Sequence, residues 1–311
     1  MSETMKAVRI HEYGGPEVLR YEDAPKPVAG PGQLLIRVAV AGVNPVDWKL
    51  RQGIMQSFWP LTLPATLGAD FAGTVEAVGA NVSAWKSGDV VWGGSSELGG
   101  YAEYIVVSEA AIAAKPDNIS LKEAGGLYSV ALTAWQGVHD HGRLQPGQTI
   151  LIHAAAGGVG MFAVQFAKEA GAHVIGTASA KNEAFVRSLG VDSFIDYTST
   201  RFEDAVQNAD VVFDTVGGDT GTRSLAVLKS GGILVCIAGE PDRAEAARRG
   251  VTVEHFSMTL TPESLRAVSE LVASGKVTTF ISETFPLSEA RAAQEASETG
   301  RTRGKIVLQV E

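Results

Sequence analysis

Glycine and alanine concentrate in one stretch of the chain, the eight residues HAAAGGVG from His153 to Gly160. Within it Ala155, Gly157 and Gly160 have the A-x-G-x-x-G spacing of a loop that binds the pyrophosphate of a dinucleotide. Gly157 would let a pyrophosphate approach the backbone, and Gly160 would let the following helix pack closely on a sheet. Unpaired N–H groups at the start of that helix would attract the phosphate. The spacing therefore predicts a dinucleotide site, and a tight turn without a ligand is the alternative.

A second group of polar residues indicates which dinucleotide is bound. An NAD-binding chain carries Asp or Glu about 20 residues further on, where the carboxylate binds the ribose hydroxyls. Here the corresponding sequence is GTASAKNE, which puts Ser179 and Lys181 where that acid would stand. A hydroxyl and an ammonium suit a 2′-phosphate, which a carboxylate would repel. The predicted cofactor is therefore NADP(H), and the alternative for Lys181 is a solvated position at a helix start.

Residues that bind metals are scarce. The single cysteine, Cys236, lies in the apolar segment ILVCI and is predicted to be a core residue. One cysteine can neither form an internal disulfide nor supply the thiolates of a zinc site. His139 and His141 are expected to be solvated or to cap a loop, and His153 to pack at a strand tip. We therefore predict no metal site.

Composition limits the classes of function. The chain has 311 residues, 45% of them hydrophobic, and a net charge of −9. The acidic balance argues against nucleic acid as a partner, because proteins that bind it present a basic face. No apolar segment approaches the ~20 residues of a membrane helix, and the first residues lack the apolar core of a signal peptide. With one cysteine, the expected location is the cytoplasm.

The elements that must position these residues follow two patterns of predicted secondary structure. Residues 1–121 contain short apolar or alternating segments between Gly, Pro, Asn and Asp, which predicts a β-rich barrel or sandwich. Residues 122–273 alternate strands and helices, including a helix over 220–232, which predicts an α/β unit with a parallel sheet. Residues 274–311 return to the β-rich pattern of residues 1–121. The predicted domains are therefore 1–121 with 274–311, and 122–273.

Nearly the whole chain resembles a known family. The resemblance is carried by AGVNPVDWKLRQG, LPATLGADFAGTVEAVGANVSAWKSGDVV, GGYAEYIVV, LTAW, AAGGVG, SLGVDSFIDY, VFDTVGG and RTRGKIVL. These segments resemble the medium-chain dehydrogenase/reductase superfamily, within it the zinc-free quinone oxidoreductase (zeta-crystallin-like) branch, close to the alkenal/enone reductases. The resemblance implies a GroES-like catalytic domain and a Rossmann domain, with the cofactor in the cleft between them. It also implies a homodimer.

The resemblance implies a reaction without zinc. Zinc-dependent members carry Cys, His and an acid at the positions that Asn44, Ala69 and Asp70 occupy here. Without a Lewis acid, the substrate must already accept hydride, as quinones and α,β-unsaturated carbonyls do. The expected activity is therefore NADPH-dependent reduction of a small quinone or enone. A non-catalytic NADPH-binding sensor or structural protein is the alternative.

Candidate catalytic residues lie in VNPVDWKLR, where the resemblance puts Asn44 against the nicotinamide ribose and Asp47 and Lys49 at the mouth of the cleft. Lys49 with a lowered pKa could donate a proton to an enolate. The open alternatives are a turn at Asn44, a helix-start acid at Asp47 and a solvated Lys49.

The resemblance also supplies cofactor contacts. Thr133 is expected at the nicotinamide; Ala155, Ala156, Gly157, Gly158, Val159 and Gly160 at the pyrophosphate; Ser179, Lys181 and Tyr197 at the 2′-phosphoadenosine end; and Val216, Ile237, Ala238 and Gly239 at the ribose. Arg303 and Lys305 are expected at the phosphates or the cleft, with a solvated basic tip as the alternative.

Overall fold

The structure is a computed structural model that describes residues 3–310. The chain divides into two compact units. The first contains the described residues of Met1–Ser129, Leu260–Gly275 and Thr279–Glu311, and the second contains Val130–Thr259 and Lys276–Thr278.

The elements are given in chain order. The first segment contains β1 (Thr4–Ile10), β2 (Arg20–Pro25), β3 (Gln33–Val43), α1 (Pro45–Arg51), β4 (Ala65–Thr66), β5 (Asp70–Val78), β6 (Val90–Gly94), β7 (Tyr104–Ser108), β8 (Ile112–Ala114) and α2 (Leu121–Gly125). Then come α3 (Tyr128–Trp135), a π-helical turn (Gln136–His141), β9 (Thr149–Ile152), α4 (Gly158–Glu169), β10 (His173–Ala178), α5 (Glu183–Ser188), β11 (Ser193–Asp196), α6 (Phe202–Ala205), β12 (Ala209–Asp214), α7 (Asp219–Ser224), β13 (Leu228–Cys236), α8 (Arg243–Arg248) and β14 (Thr252–His255). The last are α9 (Pro262–Ala273), β15 (Ile281–Pro286), α10 (Ala290–Glu298) and β16 (Lys305–Gln309).

The first unit is built on a sheet with the strand order β15-β16-β3-β5-β6-β8, in which β7 also pairs with β3. Its long strand β3 carries consecutive aliphatic residues, among them Leu34, Ile36 and Val38, which are fully buried in the core. The end of β3 is paired on both sides, Val43 with Ile306 of β16 and Gly42 with Asp70 of β5. This register brings Lys305 and Asp70 to the residue that follows β3, Asn44.

The second unit contains a parallel sheet with the order β11-β10-β9-β12-β13-β14. The chain moves outward from β9 in one direction through β10 and β11, and then in the other through β12 to β14. The connection after β9 therefore lies where the strand order reverses, the place where such sheets bind ligands. With the β-rich first unit, this sheet confirms the predicted α/β fold class.

Several predicted boundaries differ from the structure. The sequence puts residues 122–129 and 260–273 in the second domain, but both segments belong to the first unit, where Asn118 Nδ2 donates to Val272 O of α9 at 2.8 Å. The sequence puts residues 276–278 in the first domain, but they belong to the second unit. The helix predicted over 220–232 was too long, because α7 ends at Ser224 and β13 begins at Leu228. The buried Leu225 and Val227, which lie between α7 and β13, extended the apparent helical pattern there. Within residues 3–310, every helix is too short or too polar to cross a bilayer.

Candidate active site

A buried polar cluster lies at the end of β3 in the first unit. It consists of Asn44, Asp47, Asp70, Tyr101 and Lys305, each with at most 3% of its surface exposed. Strand pairing brings in Asp70 and Lys305. Asn44 directly precedes α1, which contains Asp47, and Tyr101 fits because Gly68 has no side chain. A Cβ on Gly68 would lie 2.2 Å from the Tyr101 ring. Two carboxyls and an ammonium thus share an apolar core.

Asp47 stabilises the start of α1. Its Oδ2 accepts a hydrogen bond from the Asn44 backbone N–H at 2.8 Å and another from the Tyr101 hydroxyl at 2.8 Å. Burial raises the pKa of Asp47 to about 7, although these two hydrogen bonds oppose the shift. Asp47 is 0% exposed. The structure therefore gives it the helix-start role that the sequence left as the alternative, and not an open position at the mouth of a cleft.

Lys305 carries the cation of the cluster. Its Nζ donates to Val43 O at 2.8 Å and to Asn44 Oδ1 at 2.6 Å, and it lies 3.7 Å from Asp70 Oδ2. Burial lowers the pKa of Lys305, and the charges of Asp70 and Asp47 oppose that shift. With 2% exposure, Lys305 is not part of a solvated basic tip.

Three polar atoms of the cluster have no hydrogen-bond partner. They are Asn44 Nδ2, Asp47 Oδ1 and Asp70 Oδ2, all buried. Unmade hydrogen bonds of buried groups are costly, so these atoms indicate places where a ligand or a proton would be stabilised. Asn44 Nδ2 is a donor, and it therefore fits an oxygen acceptor.

Two other predicted residues of the first unit lie outside this cluster. Lys49 is half-buried in α1, with its ammonium 5.5 Å from the centroid of the Trp48 ring. Arg303 is exposed, and its guanidinium lies 4.8 Å from the centroid of the Phe280 ring. Arg303 is therefore exposed and Lys305 buried, although only one residue lies between them.

The glycine loop joins β9 to α4 in the second unit. Gly157 precedes the helix, and its N–H donates to Ala154 O at 2.8 Å, while Met161 N–H makes the first helical bond to Gly157 O at 2.9 Å. The N–H groups of Gly158, Val159 and Gly160 therefore lack intrahelical acceptors. A Cβ on Gly160 would lie 2.2 Å from Ala154 O, so this position requires glycine. The loop therefore offers N–H donors that a pyrophosphate would accept from.

The residues predicted for the 2′-phosphate lie at the ends of two neighbouring strands. Ser179 and Lys181 follow β10, Tyr197 follows β11, and the Tyr197 N–H donates to Ala178 O at 3.3 Å. Lys181 and Tyr197 are exposed. The carboxylate nearest to this corner, Asp196, accepts hydrogen bonds from the Ala180 N–H at 3.2 Å and the Thr198 N–H at 3.0 Å.

The loops after β12 and β13 lie against each other. The buried Asp214 accepts from the N–H groups of Val216 at 2.8 Å and Gly217 at 3.1 Å, and Ile237 N–H donates to Asp214 O at 3.3 Å. A Cβ on Gly217 would lie 2.5 Å from Ala238 O. The predicted ribose residues Val216, Ile237, Ala238 and Gly239 thus share one end of the sheet. Thr133, the predicted nicotinamide contact, is a buried residue of α3 in the same unit.

Sequence reasoning missed several partners. Tyr101 and Asp214 lie in the segments GGYAEYIVV and VFDTVGG, but no sequence pattern marks them as partners in these hydrogen bonds. His153 packs at the tip of β9, as expected, but it also lies within hydrogen-bond distance of Thr177 Oγ1 at 3.1 Å and Ser224 Oγ at 3.0 Å. Burial lowers the pKa of His153 to about 4. Only the folded structure reveals these contacts, because the partners lie in elements that are separated in the sequence.

The residues at the positions of the expected zinc ligands do not form a zinc site. Asn44 and Asp70 face the Lys305 ammonium, and Ala69 has no donor atom. Cys236 is buried in β13, apart from these positions, and burial raises the pKa of its thiol to about 12. Among residues 3–310 there is no group of three or more His, Cys, Asp or Glu side chains that would hold a metal ion.

The two histidines of the π-helical turn pack on aromatic rings rather than on a metal. The His139 ring centroid lies 4.0 Å from that of Trp135, and the His141 ring stacks on Phe256 at 4.1 Å. His141 is also 32% exposed and lies 3.7 Å from the Glu254 carboxylate, so its ring is partly solvated, as the sequence favoured.

Comparison with known proteins gives consistent matches along the chain. Residues 30–117 match the alcohol dehydrogenase GroES-like domain, and residues 189–308 match the family described as zinc-binding dehydrogenase. A quinone oxidoreductase of Pseudomonas aeruginosa is 34% identical over 325 residues, which cover 97% of this chain and 99% of the relative. An NADPH-dependent alkenal/one oxidoreductase of Arabidopsis thaliana is 35% identical over 319 residues, covering 98% of this chain and 79% of the relative. The solved structure of a quinone oxidoreductase from Coxiella burnetii superposes with a TM-score of 0.92 at 35% identity, covering 99% of this chain and 100% of that one.

Proposed function

The chain belongs to the medium-chain dehydrogenase/reductase superfamily, and from that membership we propose that it is a zinc-independent, NADPH-dependent reductase of quinones or α,β-unsaturated carbonyls. The related quinone and alkenal/one oxidoreductases support an oxidoreductase of this kind. A parallel sheet with a glycine loop after its first strand supports a nicotinamide dinucleotide as the cofactor.

One observation carries the choice of acceptor. The Lys305 ammonium lies between Asn44 and Asp70, where zinc-dependent relatives are expected to hold a metal ion. An ammonium donates hydrogen bonds but has no free orbital for a substrate oxygen, so it is no substitute for a Lewis acid. An alcohol or a simple ketone at such a site would be polarised by hydrogen bonds alone, which activate it less than a metal ion does. Quinones and enones need none, because conjugation already makes them hydride acceptors.

The residues of the second unit would hold the cofactor. The free N–H groups of Gly158, Val159 and Gly160 would bind the pyrophosphate, and Lys181 with Ser179 would bind the 2′-phosphate. The Asp196 carboxylate accepts from the N–H groups of Ala180 and Thr198, which supports NADPH over NADH at this corner. The bound nicotinamide would supply the hydride.

The residues of the first unit would prepare the reaction. Asn44 presents a buried donor for an oxygen atom, and Asp47 fixes the start of the helix that carries Lys49. We assign the delivery of the proton to Lys49, whose side chain is half-buried and next to the aromatic Trp48. Apolar packing around the cluster would keep water from the hydride donor.

The test uses EDTA-treated protein with NADPH and, separately, NADH. Loss of dihydronicotinamide absorbance is followed with a quinone, an alkenal, a cyclic enone and a simple ketone. Turnover of a quinone or an enone with NADPH, unaffected by EDTA, is the expected result. Activity on the ketone that EDTA abolishes would overturn the zinc-independent assignment. Tight NADPH binding without turnover of any acceptor would favour the sensor alternative.

The cofactor preference is tested by Lys181→Ala. We expect the Kd for NADPH to rise about tenfold while the Kd for NADH stays within twofold, because only NADPH carries the 2′-phosphate. Lys122→Ala, on a helix of the first unit, is the matched surface control. Equal changes for both dinucleotides would contradict the role of Lys181.

A further inference from the structure

Asn44 is held at three points and still has an unused donor. Its backbone N–H is bound by Asp47 Oδ2 at 2.8 Å, its backbone C=O accepts from Asp47 N–H at 3.0 Å, and its side-chain Oδ1 accepts from Lys305 Nζ at 2.6 Å. Its Nδ2 is buried and has no partner. The side chain is therefore fixed in a position where half of its hydrogen-bonding capacity is unmet.

Lys305 determines which atom of the Asn44 amide has no hydrogen-bond partner. A protonated lysine only donates hydrogen bonds, so the amide atom that faces it must be the oxygen. The amide nitrogen then points away from the ammonium. Lys305 is itself fixed by Val43 O at 2.8 Å and by the charge of Asp70 at 3.7 Å, so it cannot turn away. The positive charge also polarises the amide, which makes the Nδ2–H groups stronger donors.

We propose that Lys305 is a positioning residue that holds the Asn44 amide with its N–H groups toward an oxygen atom of a bound ligand. The inference rests on the proposed function, which supplies that oxygen from either a hydroxyl of the dinucleotide or the carbonyl of the acceptor. Lys305 itself touches neither ligand. It acts through Asn44.

The proposal predicts an alkaline signature. When Lys305 loses its proton, its nitrogen can accept a hydrogen bond, and the Asn44 amide can turn over. Because burial lowers the pKa of Lys305, this occurs below the ordinary lysine value of 10.5. The titratable groups around it change charge elsewhere: the pKa of Asp47 is about 7, that of Tyr101, which donates to Asp47, is raised well above 10, and that of Tyr128, which interacts with Asp70, is about 12. Asp70 is the remaining charge.

A double-mutant cycle separates positioning from a purely structural role. The variants are Lys305→Met, Asn44→Ala and the double variant, and the readouts are the Kd for NADPH from fluorescence titration and the KM for the acceptor. We expect each single variant to raise one of these constants about tenfold, the size of one lost hydrogen bond to a ligand. The double variant should be no worse than Asn44→Ala, because Lys305 has nothing left to position.

Additional variants guard against misfolding. Lys305→Arg keeps the donors and the charge, so it should recover part of the lost affinity. Asn44→Asp keeps an oxygen for Lys305 but loses the Nδ2 donor, so it should behave like Asn44→Ala. The pH series needs no lysine variant: the Kd or KM of the wild type should rise at alkaline pH relative to that of Asn44→Ala. Lys115→Met is the matched control, because Lys115 Nζ donates to Pro116 O at 2.8 Å and Ile119 O at 2.7 Å, away from the cluster.

The outcomes are distinguishable. A non-additive cycle in the Kd for NADPH assigns the oxygen to the cofactor, and one in the KM alone assigns it to the acceptor; both support the proposal. Additive effects, or constants of Lys305→Met within twofold of the wild type, overturn it. If the wild type binds NADPH but reduces no acceptor, the proposed function fails while the binding cycle still decides the role of Lys305. If the wild type binds no dinucleotide, both proposals fail.

Discussion

Asp47 and Lys305 are opposite charges buried in one core, and burial acts on them in opposite senses. It raises the pKa of the carboxyl to about 7 and lowers the pKa of the ammonium. Both shifts bring the groups closer to neutrality, because the apolar surroundings disfavour either charge. The Asp47 carboxyl therefore changes charge near neutral pH, while the charges of Asp70 and Asp47 oppose the loss of the Lys305 proton.

The titration of Asp47 makes stability depend on pH. Its folded-state pKa of about 7 lies above the ordinary value of 3.8, so the folded protein holds a proton that the unfolded chain releases. Between pH 4 and 7 the free energy of unfolding therefore falls as the pH rises, by up to about 1.4 kcal/mol per pH unit. Asp47→Asn removes this contribution. We expect urea unfolding to show that the variant gains stability relative to the wild type from pH 4 to 7. Above pH 7 the difference between their free energies of unfolding should be constant.

The exposed Asp117→Asn is the control for this series. It should track the wild type at every pH, because it makes the same substitution at an exposed position outside the buried cluster. A constant difference between Asp47→Asn and the wild type from pH 4 to 8 would contradict the raised pKa of Asp47.

Residue types alone predicted part of the site. Asn44 stands out in the sequence because it replaces a cysteine of related chains, and the structure places it at the centre of the cluster. The role of Asp47 was ambiguous, because a helix-start acid and an open catalytic acid look alike in sequence. Lys305 was equally ambiguous, since only the register between β16 and β3 decides whether it is solvated or buried.

At the scale of elements, the turn between β9 and α4 depends on two glycines in different ways. A Cβ on Gly160 would meet the Ala154 carbonyl at 2.2 Å, and the backbone would have to move. A Cβ on Gly157 would come no closer than 3.3 Å to the same atom. Gly160 is thus required by the fold, and Gly157 leaves room for a ligand.

Alanine at each position separates these two requirements. Gly160→Ala should lower the free energy of unfolding by about 2 kcal/mol, because a backbone overlap has to be relieved. Gly157→Ala should cost less than about 1 kcal/mol but raise the Kd for NADPH at least tenfold, because the methyl group would occupy the approach of the pyrophosphate. Chemical denaturation and fluorescence titration measure both. Unchanged NADPH affinity in Gly157→Ala would argue against a pyrophosphate at this turn.

Elements with a clear local period were the most predictable. The alternation of strands and helices from β9 to β14 follows from their apolar patterns and their glycine boundaries. The pattern failed at α7, where the buried residues before β13 continued the helical spacing. It also could not assign α9, because its amphipathic face fits either unit and only long-range contacts decide.

At the scale of the molecule, the first unit is assembled from segments far apart in the chain. Strand β16 completes the sheet beside β3, and α10 packs against α1. A buried arginine connects the two helices: Arg51 donates to Gln294 Oε1 at 2.8 Å, to Gly14 O at 3.3 Å and to the Glu298 carboxylate. The predicted homodimer is a separate matter, and light scattering of the purified protein would test it.

Removing the arginine should destabilise the unit. Arg51→Met leaves the buried Gln294 oxygen and the Glu298 carboxylate without their donor, so we expect a loss of about 3 kcal/mol in the free energy of unfolding. Arg187→Met, which breaks an exposed pair with Glu183, should cost at most about 0.5 kcal/mol. Urea titrations of both variants provide the comparison. A similar small loss in both would mean that this connection contributes little.

The long separation between Asn44 and Lys305 has a consequence for protein synthesis. The two residues are 261 positions apart, so a ribosome adds the lysine only after the asparagine and the whole second unit have been made. Until then the nascent first unit lacks β16 and the cation that orients its amide. A polypeptide that ends after the second unit but before residue 305 would therefore contain the complete glycine loop but an incomplete buried cluster.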